Sequence, residues 1–360
     1  LISVGIGVQI SGTSGGFLTR DYVDKLGENI QCDFEISVPA TMIVHLKIAD
    51  LSNLCPSPYL IYINEISKLG EVTQYEFFDY AKKDGYTSSS NILCLGQFRN
   101  LHEAFAADLM VNYTAIPSPT NKVGDQCGET VVANGKRLSP PKYAPLSDTF
   151  LACSINYVAA SNKSARVIFD SITDTEPKSN GALDIYVPNS NSALRVTKSS
   201  VESGRYEVIL PDNHFELRVS TVIKNKEGLN FRGRYTSRKR LGLQDGGKCG
   251  KTYSGKKGVI SPPVTNSIQN GYVFCDLFVR IQKNKKIKLE FTPKDSNMNH
   301  RKTQFIDVYQ GSPKGKRVAR FPKEQSFETD YSQTKKLHLR LATPVTNGKS
   351  FDFDFKYTHT

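Results

Sequence analysis

The chain has 360 residues, 47 Lys+Arg against 35 Asp+Glu, a net charge of +12, 38% hydrophobic residues, seven Cys and no Trp. That length suits two to four domains, and the apolar content can fill several cores, which excludes a disordered chain. No run of about 18 apolar residues occurs, so no segment reads as a membrane-spanning helix. The opening seven residues carry neither a basic leader nor a Met, and read as the interior of a longer chain.

In chain order, the first signals are apolar runs of strand length. Phe34 stands two residues after Cys32, Leu60-Ile61-Tyr62-Ile63 follows, and Leu93-Cys94-Leu95 precedes a closing Tyr113. The next stretch is clearer. Cys127-Gly128 is followed by Ser139-Pro140-Pro141, then Cys153 with Ile155 two residues on. Arg166-Val167-Ile168-Phe169, Leu183-Asp184-Ile185-Tyr186-Val187 and Phe215-Glu216-Leu217-Arg218-Val219 come next, and Tyr235 closes the stretch. The last stretch repeats it with Cys249-Gly250, Ser261-Pro262-Pro263, Cys275 and Leu277, a run over 286–291, Ile306-Asp307-Val308-Tyr309, Leu337-His338-Leu339-Arg340-Leu341 and Tyr357.

The register of these signals is regular. Both Cys-to-Cys spacings are 26, and the closing tyrosines fall 122 residues apart twice over. Repeats of this kind define the architecture before any single element does. The runs alternate apolar and polar residues, as in Phe351-Asp352-Phe353-Asp354-Phe355, and are rich in β-branched and aromatic residues. No long stretch keeps a helical period. The prediction is an all-β chain of three tandem antiparallel, jelly-roll-like β-sandwiches. They span 1–118, diverged and acidic; 124–237; and 247–360, strongly basic. The short linkers predict a row of beads with some bending between them.

The ordered set of motifs resembles the CUB domain family. That pattern runs from Cys-Gly through a Ser-Pro-x-Tyr-type segment, met here by Ser139-Pro140-Pro141-Lys142-Tyr143, to a second Cys, an Asp-containing strand and a closing Tyr strand. The resemblance covers nearly the whole chain and implies an extracellular jelly-roll sandwich. CUB arrays without a catalytic domain resemble the ectodomains of receptor auxiliary proteins, such as the suppressor-of-lurcher and neuropilin-and-tolloid-like families. The chain departs from the pattern in places. Phe34, Ile155 and Leu277 stand where the family has Trp, and the later units hold one Cys pair each. Many family members bind Ca²⁺ through three carboxylates. Here Asp184, with Glu176 nearby, and Asp307 remain, but Ser220-Thr221 and Ala342-Thr343 replace the third carboxylate. Hard Ca²⁺ needs several converging oxygens, so no functional metal site is expected.

Cys127 with Cys153 and Cys249 with Cys275 read as intradomain disulfides, which persist in oxidising compartments. No Cys-x-x-Cys pair suggests a metal. Of the remaining three, Cys55 with Cys94 is the favoured pair and Cys32 with Cys94 its rival. Asn112-Tyr113-Thr114 and Asn162-Lys163-Ser164 are glycosylation sequons, with Asn162 the better placed.

No catalytic constellation emerges, so no enzyme activity and no cofactor are expected. The run from Gly242 to Lys248 approaches a phosphate-binding loop, but it is an interdomain linker running into Cys249 rather than a turn into a helix. Nucleotide and nucleic acid are therefore not expected. His338 alternates outward and reads as a surface imidazole. Charge is unevenly spread, net −6 over 1–120, +6 over 121–240 and +12 over 241–360. The last part concentrates Lys283, Lys285, Lys286 and Lys288, and Lys314, Lys316, Arg317 and Arg320. Such a patch speeds association with an acidic surface. The expected partner is a receptor or ion-channel ectodomain, met as an auxiliary subunit of a neurotransmitter-gated, glutamate-type channel, with anionic lipid headgroups and sulfated glycans as other partners. The alternative function is the substrate-targeting CUB region of a secreted protease or complement-like protein, or a glycan-binding secreted protein. The expected location is the extracellular part of a single-pass cell-surface protein.

Overall fold

The computed structural model describes residues 6–19, 21–22, 32–50, 61–66, 72–77, 85–97, 109–120, 124–133, 135–143, 146, 149–159, 163–173, 181–187, 193–202, 204–244, 246–294, 304–313, 315–350 and 352–360. Its first nine strands are β1 (Ile6–Ser11), β2 (Ser14–Leu18), β3 (Cys32–Ser37), β4 (Met42–Asp50), β5 (Ile61–Ile66), β6 (Val72–Phe77), β7 (Tyr86–Thr87), β8 (Ile92–Gln97) and β9 (Leu109–Pro117). The next nine are β10 (Thr130–Val132), β11 (Arg137–Leu138), β12 (Thr149–Val158), β13 (Ser164–Thr173), β14 (Ala182–Tyr186), β15 (Ala193–Val196), β16 (Tyr206–Ile209), β17 (His214–Ile223) and β18 (Asn230–Arg238), with the short helix α1 (Lys198–Glu202) before β16. The last nine are β19 (Thr252–Tyr253), β20 (Lys257–Ile260), β21 (Asn270–Arg280), β22 (Lys286–Pro293), β23 (Phe305–Gln310), β24 (Arg317–Phe321), β25 (Ser326–Asp330), β26 (Lys336–Thr346) and β27 (Phe353–His359).

Each set of nine pairs in the same way. One sheet runs β1-β3-β8-β5-β6, and its counterparts are β10-β12-β17-β14-β15 and β19-β21-β26-β23-β24. The facing sheet runs β2-β9-β4-β7, then β11-β18-β13-β16, then β20-β27-β22-β25. Among the described residues, three hydrophobic cores lie between these sheet pairs. Phe34, Leu46 and Leu95 belong to the first, Ile155, Phe169 and Leu217 to the second, and Leu277, Leu289 and Leu339 to the third. Ile287, Leu289 and Phe291 of β22 all point inward, as their period of two requires.

The closing tyrosines owe their place to what lies opposite. Gly15 pairs with Tyr113 and Gly258 with Tyr357. A methyl group at either glycine would sit 2.6 Å from the tyrosine ring. The bare backbone lets the ring lie across the strand. In the middle unit Lys136 holds that position, and Tyr235 leans on Tyr157 and Phe215 with centroids 5.0 and 5.7 Å away.

The units are not separate beads. β7 of the first adds in parallel to the edge of β12 in the second, pairing Tyr86 with Phe150 and Thr87 with Leu151. β16 of the second adds in parallel to β21 of the third, pairing Glu207 with Gly271 and Ile209 with Val273. Two sheets therefore run through two units each, where bending was expected. The cores interlock as well. Ala152 packs in the first core, Tyr272 and Phe274 in the second, and Ile209 in the third. β25 is the third copy of this linking strand. It carries Glu328 opposite Lys288, where β16 carries Ile209 opposite Arg166. Charged side chains on an edge oppose further pairing.

The second junction leaves no room for a side chain at Gly271, where a Cβ would lie 1.9 Å from the Glu207 carbonyl oxygen. Gly271→Ala should separate β16 from β21 and cost about 1–3 kcal/mol. The expected result is a lower Tm and faster proteolysis between the second and third units. An unchanged melting curve and cleavage pattern would show that the edge pairing is dispensable.

Candidate interaction surfaces

Cys127 is bonded to Cys153 and Cys249 to Cys275, with Cα separations of 5.1 and 5.2 Å. The glycine after each first cysteine has a left-handed backbone, φ +78° at Gly128 and +88° at Gly250. That turn lets Gly128 N–H donate to the Ser154 carbonyl, and Gly250 N–H to the Asp276 carbonyl, each at 2.6 Å. The Cys-Gly pair therefore fixes a loop to the residue just beyond the second cysteine. Gly128 also abuts the first unit, since a Cβ there would meet the Ser89 carbonyl oxygen at 2.5 Å. Cys94 is buried and disulfide-bonded. Cys55 and the side chain of Cys32 lie outside the described residues, as do Asn162, Glu176 and Lys314.

The two strand aspartates that resemblance marks as calcium positions are held by arginine. Asp184 on β14 pairs across the strand with Arg195 on β15, accepting bonds of 2.9 and 3.1 Å. Asp307 on β23 pairs in the same register with Arg320 on β24, at 2.6 and 2.7 Å. Arg317 adds a contact to Asp307 at 3.8 Å. Asp307 is fully buried. A guanidinium fork occupies both carboxylate oxygens in each case, which is the geometry of a strong charge-assisted pair. These residues do not fit a calcium ion, because the cation they face is already a side chain. The arginines stand 11 and 13 residues after their aspartates, on the strand that folds back beside each.

A second polar ladder lies on the face of β21 and β26 turned away from the third core. Arg340 is fully buried and donates to both oxygens of Asp276 at 2.8 Å. His338 is also fully buried, with Nε2 3.1 Å from Asp276 Oδ2. The expectation of a surface imidazole is thus corrected. Alternation does turn His338 away from the core, but Phe278 and Tyr309 flank its ring at centroid distances of 5.2 and 5.5 Å. Burial pushes the Asp276 carboxyl up, but hydrogen bonds from Arg340 and His338 outweigh it and hold the group at about 2. The middle unit moves its carboxylate by one strand. Glu216 accepts from Arg218 at 3.0 Å and also from Ser154, while Arg218 lies over the Tyr186 ring at 3.7 Å. A small cavity of about 140 Å³ opens beside this pair, between the first unit's Met42 and Asn91 and the second unit's Gln126 and Arg218.

The basic cluster predicted in the third unit divides between two sheets. Lys286 and Lys288 lie on β22, preceded by Lys283 and Lys285 in the turn at Asn284, while Arg317 and Arg320 lie on β24 with Lys316 just before it. Arg320 and Arg317 are engaged by Asp307, and Lys288 reaches Glu290 at 2.8 Å. These three keep partly exposed side chains, and Lys283, Lys285, Lys286 and Lys316 are exposed. Asn112 is exposed on β9 opposite Gly16. The loop that approached a phosphate-binding motif turns back on itself instead. Leu243 N–H donates to Gly247 at 2.9 Å, and Gly242 bridges Lys248.

No family model matches this chain, and no curated protein matches it. Among solved structures it is similar to the CUB1-EGF-CUB2 domains of rat MASP-1, at 11% identity and a TM-score of 0.24, covering 64% of this chain and 99% of that one. It is similar to the full extracellular region of zebrafish Gpr126/Adgrg6, at 8% identity and a TM-score of 0.24, covering 64% of this chain and 33% of that one. The ANX1 ectodomain from Arabidopsis thaliana is similar at 7% identity and a TM-score of 0.18, covering 59% of this chain and 82% of that one. What the chain's own structure defines is an all-β protein of antiparallel sandwiches.

Two outcomes follow from the buried pairs. Asp276→Asn should destabilise the third unit by about 3–5 kcal/mol, because it leaves Arg340 buried without its counter-charge. The Asp276 carboxyl lies lower in the folded chain than its ordinary value of 3.8. Its stabilisation is therefore complete above about pH 4 and is lost as pH falls towards 2. Urea unfolding at pH 7, 4 and 2.5 measures both effects. Calcium should leave the Tm of the intact chain unchanged, and a stoichiometric micromolar titration by calorimetry would contradict the arginine-held arrangement.

Proposed function

We propose that this chain is a non-enzymatic, extracellular protein-binding module built of CUB-like sandwiches. In this reading it is part of a single-pass cell-surface protein and docks on a receptor ectodomain. The finer assignment is an auxiliary subunit of a neurotransmitter-gated, glutamate-type ion channel. One observation carries it: sandwiches joined edge to edge in fixed register, with an acidic first unit and a strongly basic third. Such an array holds several faces at set spacing, which lets one large partner be contacted at more than one place. The opposed charges steer the encounter and suppress the reversed orientation. Two intradomain disulfides support an oxidising compartment. Docking then acts by biasing the partner between conformations, through differential contact with each.

Affinity purification of the native protein from detergent-solubilised membranes, followed by mass spectrometry, tests this reading. Stoichiometric recovery of a neurotransmitter-gated channel is the expected result. Recovery of a secreted protease as the stoichiometric partner, with no channel, would overturn it.

A further inference from the structure

The middle unit carries a cationic face that the charge count along the chain does not reveal. β18 reads Asn230-Phe231-Arg232-Gly233-Arg234-Tyr235-Thr236-Ser237-Arg238, and Phe231, Gly233 and Tyr235 are the buried set. Arg232, Arg234 and Arg238 therefore share the opposite face. Lys239 and Arg240 follow directly after the strand and are exposed. On one side Arg137 of β11 stands directly opposite Arg234. On the other, Arg166 of β13 stands opposite Thr236, between Arg234 and Arg238.

Arg137 against Arg234 is a like-charge juxtaposition, which costs stability. Among the described residues, two carboxylates stand against the arginines of this face. Glu207 accepts from Arg166 at 2.5 and 3.0 Å, and Asp170 lies 3.6 Å from Arg205 and 3.8 Å from Arg234. Burial, and secondly Arg166, push the Arg238 guanidinium below its ordinary value. Glu207 opposes this, so Arg166 and Arg238 share one carboxylate.

The fold itself does not ask for these arginines. The position before the closing tyrosine is Arg234 here, Lys356 in the third unit and Asn112 in the first. Two residues earlier stand Arg232, Asp354 and Met110. Opposite the former stand Arg137, Val259 and Gly16. The same strands pair in all three units with a different surface in each.

The face also has shape. A cavity of about 730 Å³ lies at one end of β18 between Arg137, Arg232, Arg234 and Asp170. Another of about 570 Å³ lies at the far end, between Arg166, Arg238, Lys239 and Arg240, against Val264 of the third unit. From Arg232 to Arg238 the strand advances about 20 Å.

We propose that this face binds a sulfated glycosaminoglycan, laid along β18 with sulfates entering the two concavities. The planar guanidinium fork suits sulfate oxygens taken two at a time. An extended chain reaches both concavities and the arginines between them, whereas the headgroup plane of a membrane would lie across their rims. The site does not depend on the receptor reading and lies apart from the third unit's lysines.

Binding of heparin oligosaccharides to the intact chain by calorimetry, over 50 to 300 mM salt, tests it. The triple variant Arg232→Gln, Arg234→Gln, Arg238→Gln should bind about tenfold more weakly or worse, with a shallower salt dependence. The control Lys283→Gln, Lys285→Gln, Lys286→Gln should retain the parent affinity. Melting curves of both variants confirm folding, since all six side chains lie at the surface or are half-exposed. Unsulfated hyaluronan should bind at least tenfold more weakly than heparin. The proposal is overturned if the lysine variant loses heparin and the arginine variant keeps it, if hyaluronan binds as well as heparin, or if vesicles containing phosphatidylserine bind through the same arginines while heparin does not.

Discussion

The architecture depends on one kind of contact, the parallel addition of a short strand from one sandwich to an edge of the next. β7 and β16 occupy the same place in successive units and make the same addition, to β12 and β21. A sandwich has open edges, and an open edge invites pairing. Here the invitation is answered from within the chain. The contact sets register, because backbone pairing fixes which residues meet. It also draws side chains into neighbouring cores, so Ile209 is buried in the third unit although the second unit carries it. Glycine permits the approach where the backbones touch, at Gly128 and Gly271.

A second theme is the use of arginine in place of other counter-charges. Asp184, Glu216, Asp276 and Asp307 are each held by a guanidinium. Breaking such a buried pair is costly, although its formation from water gains little net stability. Their effect is on specificity. A polar ladder on a strand face rejects any register in which donor and acceptor do not meet. The middle and third units solve the problem differently, with the acid on β17 in one and on β21 in the other. The arginine is the partner these two units share, Arg218 matching Arg340, while the first unit has Gly96 at that position.

The surfaces differ while the frame stays constant. The acidic first unit, the arginine face of the second and the scattered lysines of the third rest on strands that pair identically. Outward positions of an antiparallel sheet are free of the core, so each unit carries its own charge pattern on the same frame.

Sequence alone determined the all-β class and the disulfides Cys127–Cys153 and Cys249–Cys275. Each of these is written in local periodicity or in fixed spacing, as in the 26-residue interval between Cys127 and Cys153. It also marked Asp184 and Asp307 as special, but not why, because their partners Arg195 and Arg320 meet them only after β14 folds onto β15 and β23 onto β24. The tertiary structure decided what covers the outward faces. Period two shows that His338 leaves the core, but not that rings close over it. Nor does a charge count distinguish the engaged Arg320 from the crowded Arg238. Local pattern records which way a side chain points; what it meets there depends on strands distant in sequence, and only their pairing brings them into contact.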